Sequence, residues 1–332
     1  MDMPESKIMT RGNQKGILKK LYSQRSLPIL LIIIVMIVIF SFTLKNFFSF
    51  ANLSISLLAL STKMIVAIGM TFLLVSGLAD LSVGSIFGFC GAITAFLIVR
   101  NAPIYVAILV GIVAGAGIGL LNGFIVERLH VNYIIATLAT LGIVRGLVIF
   151  IAEQPIAFLP PQFTFIGQQQ FLNIQSPVWI MILLVILFAP LLSKHQFFRQ
   201  FFYMGSNERA ALLSGIRVSR LRIVNFMIAG LFAAVAGIIY TARAGSATAV
   251  SGAGLELKVI AAAIVGGCSL SGGEGSIFGT FLGVFLMELI LDILVFSRLS
   301  TYWQDIVTGL VLIMAVSIDH FLKARGAKIS LK

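Results

Sequence analysis

The sequence predicts an all-α polytopic membrane protein of about ten transmembrane helices, and three observations carry that prediction. Hydrophobic residues make up 59% of the 332 positions, charged residues only 11%, and the mean hydropathy is +1.07. A soluble domain is about 45–50% apolar and about 25% charged. Most of the apolar runs reach the roughly 20 residues that a bilayer requires. They are unbroken, which contradicts the period-two alternation of a membrane β-barrel. Twelve acidic residues cannot give a 35.8 kDa chain a soluble charged surface. A cytosolic enzyme, a disordered protein and a secreted disulfide scaffold are thereby excluded.

Residues 1–26 are polar and basic, with Lys7, Arg11, Lys15, Lys19, Lys20 and Arg25. The apolar run Leu27–Phe42 follows. A basic flank before a short apolar run is the pattern of a signal peptide. No small-x-small cleavage site follows it, so the run is read as an uncleaved first helix, with Pro28 near its start where proline is tolerated. Nine further apolar segments fall near 54–76, 83–99, 103–126, 133–152, 177–193, 221–242, 255–268, 276–296 and 302–322. The stretch 255–268 is too short to span and is expected as a half-helix or a tilted element buried in protein. The chain thus divides into a basic N-terminal segment 1–26, a transmembrane domain 27–322 with a polar loop 194–220, and a tail 323–332.

Ten spans place both termini on one side. Seventeen Lys and Arg fall on that side and five (Lys45, Arg100, Arg243, Lys258 and Arg298) on the other. Basic residues gather on cytoplasmic loops, so both termini are expected in the cytoplasm. The same rule accounts for the net charge of +12 without nucleic acid. Segment 153–176, free of Lys and Arg, then faces outward.

Gly84-Ser-Ile-Phe-Gly88 recurs as Gly275-Ser-Ile-Phe-Gly279, each copy after a Gly-rich break and opening an apolar segment. Interrupted segments at matching places suggest a transporter built from repeats. Chance recurrence of common membrane residues is the alternative.

Catalytic chemistry has no support. No stretch fits the nucleotide-binding G-x-x-x-x-G-K-[ST] pattern. His130, His195 and His320 have no ligand spacing, and Cys90 and Cys268 form neither a metal pattern nor a disulfide framework. No metal and no cofactor are expected. The charges inside or beside spans are Lys63, Arg145, Glu256, Lys258, Glu288 and Asp292. Glu288 and Asp292 share a helix face, which suits either an ion relay or a position near water at the outer end of a span. So thin a supply of buried charge argues against a proton-driven carrier. Asp80, between Gly77 and Gly84, either caps the segment that starts near Ser82 or lines a cytoplasmic gate.

Loop 194–220 contains a short amphipathic helix. Ser206 or Asn207 can cap it, Glu208 suits its positive end, and Gly215 suits a left-handed stop. Ala210, Ala211, Leu212 and Leu213 give it a small, partly apolar surface, ringed by Arg209, Arg217, Arg220 and Arg222. Such a helix can lie on lipid, but the alanine pair suggests close docking into a protein groove.

The pattern Gly205-x-Asn207-x-x-Ala210-Ala211-x-x-x-Gly215-Ile216 resembles the coupling loop of ABC importer permeases, and in particular the ribose-type monosaccharide permease family. The resemblance runs from about 50 to 320. It includes Gly69-Met-Thr-Phe, Asp80-Leu-Ser-Val-Gly-Ser85, Asn122-Gly123, Ala136-Thr-Leu138, Arg145-Gly146, Thr241-Ala-Arg243, Val265-Gly-Gly267 and Leu270-Ser-Gly-Gly273, in order. Leu78-Ala79 stands where the family usually has Ile after a second Gly, Ala139 where it has Gly, and Asn132 where Pro is common.

The resemblance implies a type II importer fold and the membrane-spanning subunit of an ATP-driven importer for a monosaccharide such as ribose, in the bacterial inner membrane. It implies no enzymatic activity in this chain. It implies as partners a second permease chain, a cytoplasmic ATPase and an extracytoplasmic solute-binding protein. Asn207, Glu208, Arg209, Ala210, Ala211, Gly215 and Ile216 would couple to the ATPase. Asp80, Ser82, Gly84, Asn122, Thr137 and Arg145 would line the passage or gate between the two permease chains. In the outer loop, Phe163 and Gln168, Gln169 and Gln170 are expected to contact the binding protein, because prolines 155, 160 and 161 stiffen an uncharged polar surface. A nucleoside, a furanosyl signalling compound or another small polyol is the alternative cargo, and an ion-coupled carrier the alternative mechanism.

Overall fold

The computed structural model describes residues 26–330. The basic segment 1–26 lies outside them except for Ser26, as does the end of the tail at 331–332. The order is α1 (Ser26–Thr43), α2 (Phe50–Val75), α3 (Val83–Val99), α4 (Ile104–Arg128), α5 (Tyr133–Ile151), α6 (Pro161–Gln168), β1 (Gln170–Phe171) and β2 (Ile174–Gln175). Then follow α7 (Ser176–Lys194), α8 (Gln196–Ser206), α9 (Glu208–Leu213), α10 (Val218–Ala244), α11 (Leu255–Val265), α12 (Ile277–Phe296) and α13 (Thr301–Ser330). Six helices (α2, α4, α5, α7, α10 and α12) are long and apolar enough to cross a membrane. Three further apolar helical stretches, 27–43, 83–99 and 302–317, are shorter, and α11 has only 11 residues. Each of the ten apolar segments read from the sequence is therefore helical.

The bundle is centred on α2 and α10. The most apolar stretch of α2 is 83% buried and those of α10 and α12 61%, against 22% for α4, α5 and α7. Without a hydrophobic drive between helices in lipid, close backbone approach through small residues holds such a core. Gly111, Gly115, Gly119 and Gly123 form one stripe along α4, at four-residue spacing, facing α10. A Cβ on Gly119 would lie 2.3 Å from the Phe226 carbonyl oxygen, so no side chain fits there.

The repeated Gly-Ser-Ile-Phe-Gly has a structural counterpart. α2 and α11 both end in the same left-handed glycine stop. Gly77 (φ +75°) donates to the Leu74 carbonyl and Leu78 to that of Leu73. Gly267 (φ +96°) donates to Ile264 and Cys268 to Ala263. Each stop leads through a short break into the next helix, α3 or α12. The two breaks meet: the Gly273 N–H donates to the Val75 carbonyl at 2.8 Å.

Two carboxylates of α12 are paired with α2, whereas the buried Glu256 Oε2 and Asn225 Oδ1 have no hydrogen-bond partner among the described residues. Lys63 of α2 forms an ion pair with Glu288 of α12, and the Ser56 hydroxyl donates to Asp292. Glu288 is only 6% exposed, which corrects its expected place near water: an unpaired charge at that position would be costly, and Lys63 supplies the partner.

Candidate coupling and translocation site

α9 and the breaks lie at one end of α10. Asn207 caps α9, its side-chain oxygen accepting the Ala210 N–H at 3.0 Å. Gly215 (φ +80°) ends it, donating to the Leu212 carbonyl while Ile216 donates to that of Ala211. A non-glycine residue resists this conformation, which explains a glycine at a position where a Cβ would meet open space. Glu208, in the first turn, pairs with Arg222 of α10 at 2.8 Å, and Arg222 also pairs with Glu127 at the end of α4. The helix is thus fixed at both ends and strapped to the bundle. Both alanines line a cleft of about 640 Å³ with Gln200, Tyr203, Ser206, Asn207 and Ser214, but Ala211 is only 4% exposed whereas Ala210 is exposed. Of the expected alanine pair, then, only Ala210 is outward. The apolar surface belongs to Leu212 and to Leu213, which is 90% exposed, and Arg209 is exposed beside them.

α8 joins this helix to the core. Its residues Phe198 and Phe201 pack on Phe72 of α2, which itself packs with Phe188 of α7 and Phe232 of α10, and Phe197 packs on Phe198 and Phe201. At its end Gly205 lies against the α2 stop. A Cβ there would sit 2.1 Å from the Val75 carbonyl oxygen and 2.7 Å from the Gly273 nitrogen. The loop that holds α8 and α9 and both breaks thus share one backbone junction. Asn225 of α10 completes it, donating to the Phe72 carbonyl and the Ser76 hydroxyl. Sequence reading missed Asn225 because a single Asn in an apolar span says nothing about its partner.

The first break carries a closed polar network. Asp80 accepts the Ser82 N–H at 2.7 Å and the Ser82 hydroxyl at 2.6 Å. The Asn122 amide donates to Asp80 at 3.3 Å and to the Ser82 oxygen at 2.9 Å, and the Thr140 hydroxyl donates to Asn122 at 2.6 Å. Asp80, Ser82, Asn122 and Thr137 have no exposed surface in the single chain. Asp80, Ser82 and Asn122, with Thr140, tie α3, α4 and α5 together. Thr137 stands apart and bonds only to the carbonyls of its own helix.

Gly84 and Arg145 belong to a second cluster. Segment 245–254 between α10 and α11 is non-helical and contains Gly252 (φ +73°) and Gly254 (φ +71°). Arg145 of α5 donates to the carbonyls of Ala249 (3.2 Å) and Ser251 (2.8 Å) in that segment. Non-helical backbone inside a membrane needs such partners. Gly84 opens α3 against the Glu256 carboxylate and the Gly252 carbonyl, where a Cβ would lie 2.1 Å and 2.4 Å away. Arg145 is half-buried, and Gly142 and Gly146 beside it on α5 face open space.

At the opposite end of α10, α6 and the hairpin β1–β2 close over the bundle. Gln170 pairs with Gln175 and Phe171 with Ile174. Phe163 is fully buried, which corrects its expected place on a docking surface: as an apolar side chain on the inner side of α6 it holds the cover down. Gln168 is exposed but donates to the Arg243 carbonyl at 3.0 Å, while Gln169 and Gln170 are exposed without side-chain hydrogen bonds.

These features are those of a transport subunit, and comparison with known proteins agrees. The family described as "Branched-chain amino acid transport system / permease component" matches residues 52–316. The ribose import permease protein RbsC of Haemophilus influenzae is 35% identical over 87% of this chain and 91% of its own. This chain belongs to the ribose-type family of sugar ABC permeases. The L-arabinose transport system permease protein AraH of Escherichia coli is also 35% identical, over 83% of this permease and 84% of its own length. The autoinducer 2 import system permease protein LsrC of Photorhabdus luminescens is 31% identical over 94% and 95%. No solved structure matches the permease.

Proposed function

We propose that this permease carries a monosaccharide, of the pentose type such as ribose, inward across a bacterial cytoplasmic membrane. The energy comes from ATP hydrolysed on a separate ATPase that docks at α9, so the α9 end of the bundle and both termini face the cytoplasm. A second permease chain lies alongside and the passage runs between them, past the Arg145 and Gly84 cluster. A solute-binding protein delivers cargo to the α6 and hairpin face, with Gln169 and Gln170 in contact. The observation that carries this reading is α9: a helix of six residues, capped and stopped, with two exposed leucines and a junction to both helix breaks. A free surface helix needs none of that fixation. The similarity to LsrC over most of both chains favours a furanosyl signalling compound as the second cargo. An ion-coupled mechanism loses its candidate site, because Glu288 is neutralised by Lys63.

The test is uptake into proteoliposomes holding the assembled importer, with ribose, arabinose and autoinducer 2 each presented by its binding protein. ATP-dependent uptake of one sugar is expected. Gly215→Val should keep the folded permease, because the site is open, yet lower uptake at least tenfold by displacing α9 (~1.4 kcal/mol per decade). Wild-type uptake by Gly215→Val would remove α9 from the coupling role.

A further inference from the structure

We infer that the α8-side end of α7 holds an anionic phospholipid, with one acyl chain lying along α7 and the phosphate on Lys194. α7 is long and apolar enough to cross the bilayer. Pro190 lies inside it and gives no N–H to the preceding turn. Beside that point runs a groove of about 590 Å³ lined by Leu183, Ile186, Leu187, Pro190 and Leu191, and Lys194 stands at its end. Ile186 is 66% exposed and Leu183 64%. From residue 183 to 194 the helix rises about 16 Å, close to half of the roughly 30 Å hydrocarbon core, which is the depth of one leaflet.

The lysine marks the headgroup level. α8 follows it at once and is strongly two-sided, with Phe198 and Phe201 inward and Arg199 outward. Such a helix lies in the interface plane. Among the described residues Lys194 makes no ion pair, while the other polar group of the groove, His195, is engaged as the cap of α8. Lys194 also lines a second cleft of about 340 Å³ on the other flank of Pro190, beside Phe202, Ser276 and Phe278. An apolar groove one leaflet deep, ending in an unpaired cation at the interface, fits a chain with a negative headgroup. Exposed Arg199, Arg209, Arg217 and Arg220 give that surface the same sign.

The experiment is native mass spectrometry of the full chain released from nanodiscs of equimolar phosphatidylglycerol and phosphatidylcholine. The wild type should retain phosphatidylglycerol in preference. Lys194→Gln should lower its retention roughly fivefold, the worth of one basic residue at a membrane surface, and Lys194→Arg should restore it. Ile186→Trp, at an exposed position, should fill the groove and expel the lipid with the lysine intact. Added inorganic phosphate should not compete. The inference fails if Lys194→Gln and Ile186→Trp retain phosphatidylglycerol like the wild type, if phosphatidylcholine is kept equally, or if phosphate displaces the lipid. None of these outcomes depends on what the permease carries.

Discussion

The two breaks, 76–82 and 266–276, begin alike and are secured differently. Both follow a glycine-stopped helix and both lead into Gly-Ser-Ile-Phe-Gly. The first is held by side chains. Asp80, Ser82, Asn122 and Thr140 join α3 to α4 and α5, and none of the first three reaches solvent. The second is held by backbone, through Gly273 on the Val75 carbonyl and the close approach of Gly205 and Gly272, and by side chains, the Ser269 hydroxyl donating to Asp319 at 2.9 Å and accepting the Ser271 N–H at 3.2 Å, with a serine cap on α12. A side-chain network fixes a charge and three helices at once, so it fails if one member is lost. Backbone contacts tolerate changes of polarity but not of size. The same five-residue echo therefore follows one break keyed by a side-chain network across three helices and one in which close backbone packing is joined by a Ser269–Asp319 bond.

Removing the key of the first break should have the largest effect. Asp80→Ala leaves the Ser82 N–H and hydroxyl buried without their acceptor, a loss of about 3 kcal/mol for two unsatisfied groups. Asp80→Asn keeps an acceptor and removes the charge, and should lose about 1 kcal/mol. Thermal unfolding in detergent, followed by fluorescence-detected size exclusion, would rank the two. Equal stability of Asp80→Ala and the wild type would show that the network holds nothing together. If Asp80→Asn is folded but inactive in uptake, the charge itself has a part in transport.

Close backbone packing is broken at Gly205. Gly205→Ala puts a methyl on the Val75 carbonyl and the Gly273 nitrogen, both backbone atoms that cannot turn aside. Overpacking of this kind costs about 1–3 kcal/mol. Because the junction also joins α8 to both breaks, ATP-dependent uptake should fall further than the loss of folded protein accounts for. Uptake per folded molecule equal to wild type would separate the junction from coupling.

How much of this was legible in the sequence follows from the range of each signal. The ten apolar segments, the cap and stop of α9 and the half-length of α11 depend on residues a few positions apart, and all were readable. Pairings across the bundle were not. Lys63 with Glu288 is 225 positions apart and Asn225 with Ser76 is 149, so neither leaves a local pattern. The placement of Phe163 went wrong for a related reason: aromatics in a polar loop look exposed until the face of α6 that meets the bundle is known. One local signal was available and unread. Four glycines at four-residue spacing on α4 announce a close helix contact, and they face α10. Asp80 was readable as a cap on its own break, but its Asn122 and Thr140 partners lie on other helices.

The smallest effect, and the sharpest contrast, lies in the serines at the N-cap positions of α3 and α12. Ser276 is the N-cap of α12, and its hydroxyl oxygen accepts the Gly279 N–H at 3.0 Å. Ser82 precedes α3 in the same way but makes no such bond, and its hydroxyl sits between Asp80 and Asn122 instead. Ser276→Ala should therefore lose one cap, about 1 kcal/mol, and Ser276→Asp should recover it because a carboxylate also accepts at a helix start. Ser82→Ala removes one buried hydrogen bond from each of Asp80 and Asn122 and should lose about 2 kcal/mol, with no recovery in Ser82→Asp, which would set a second carboxylate against Asp80. Unfolding midpoints of the four variants measure the difference directly. If both serine sites lose the same stability to Ala and both recover with Asp, the two breaks are capped alike and the distinction between network-keyed and closely packed breaks is withdrawn.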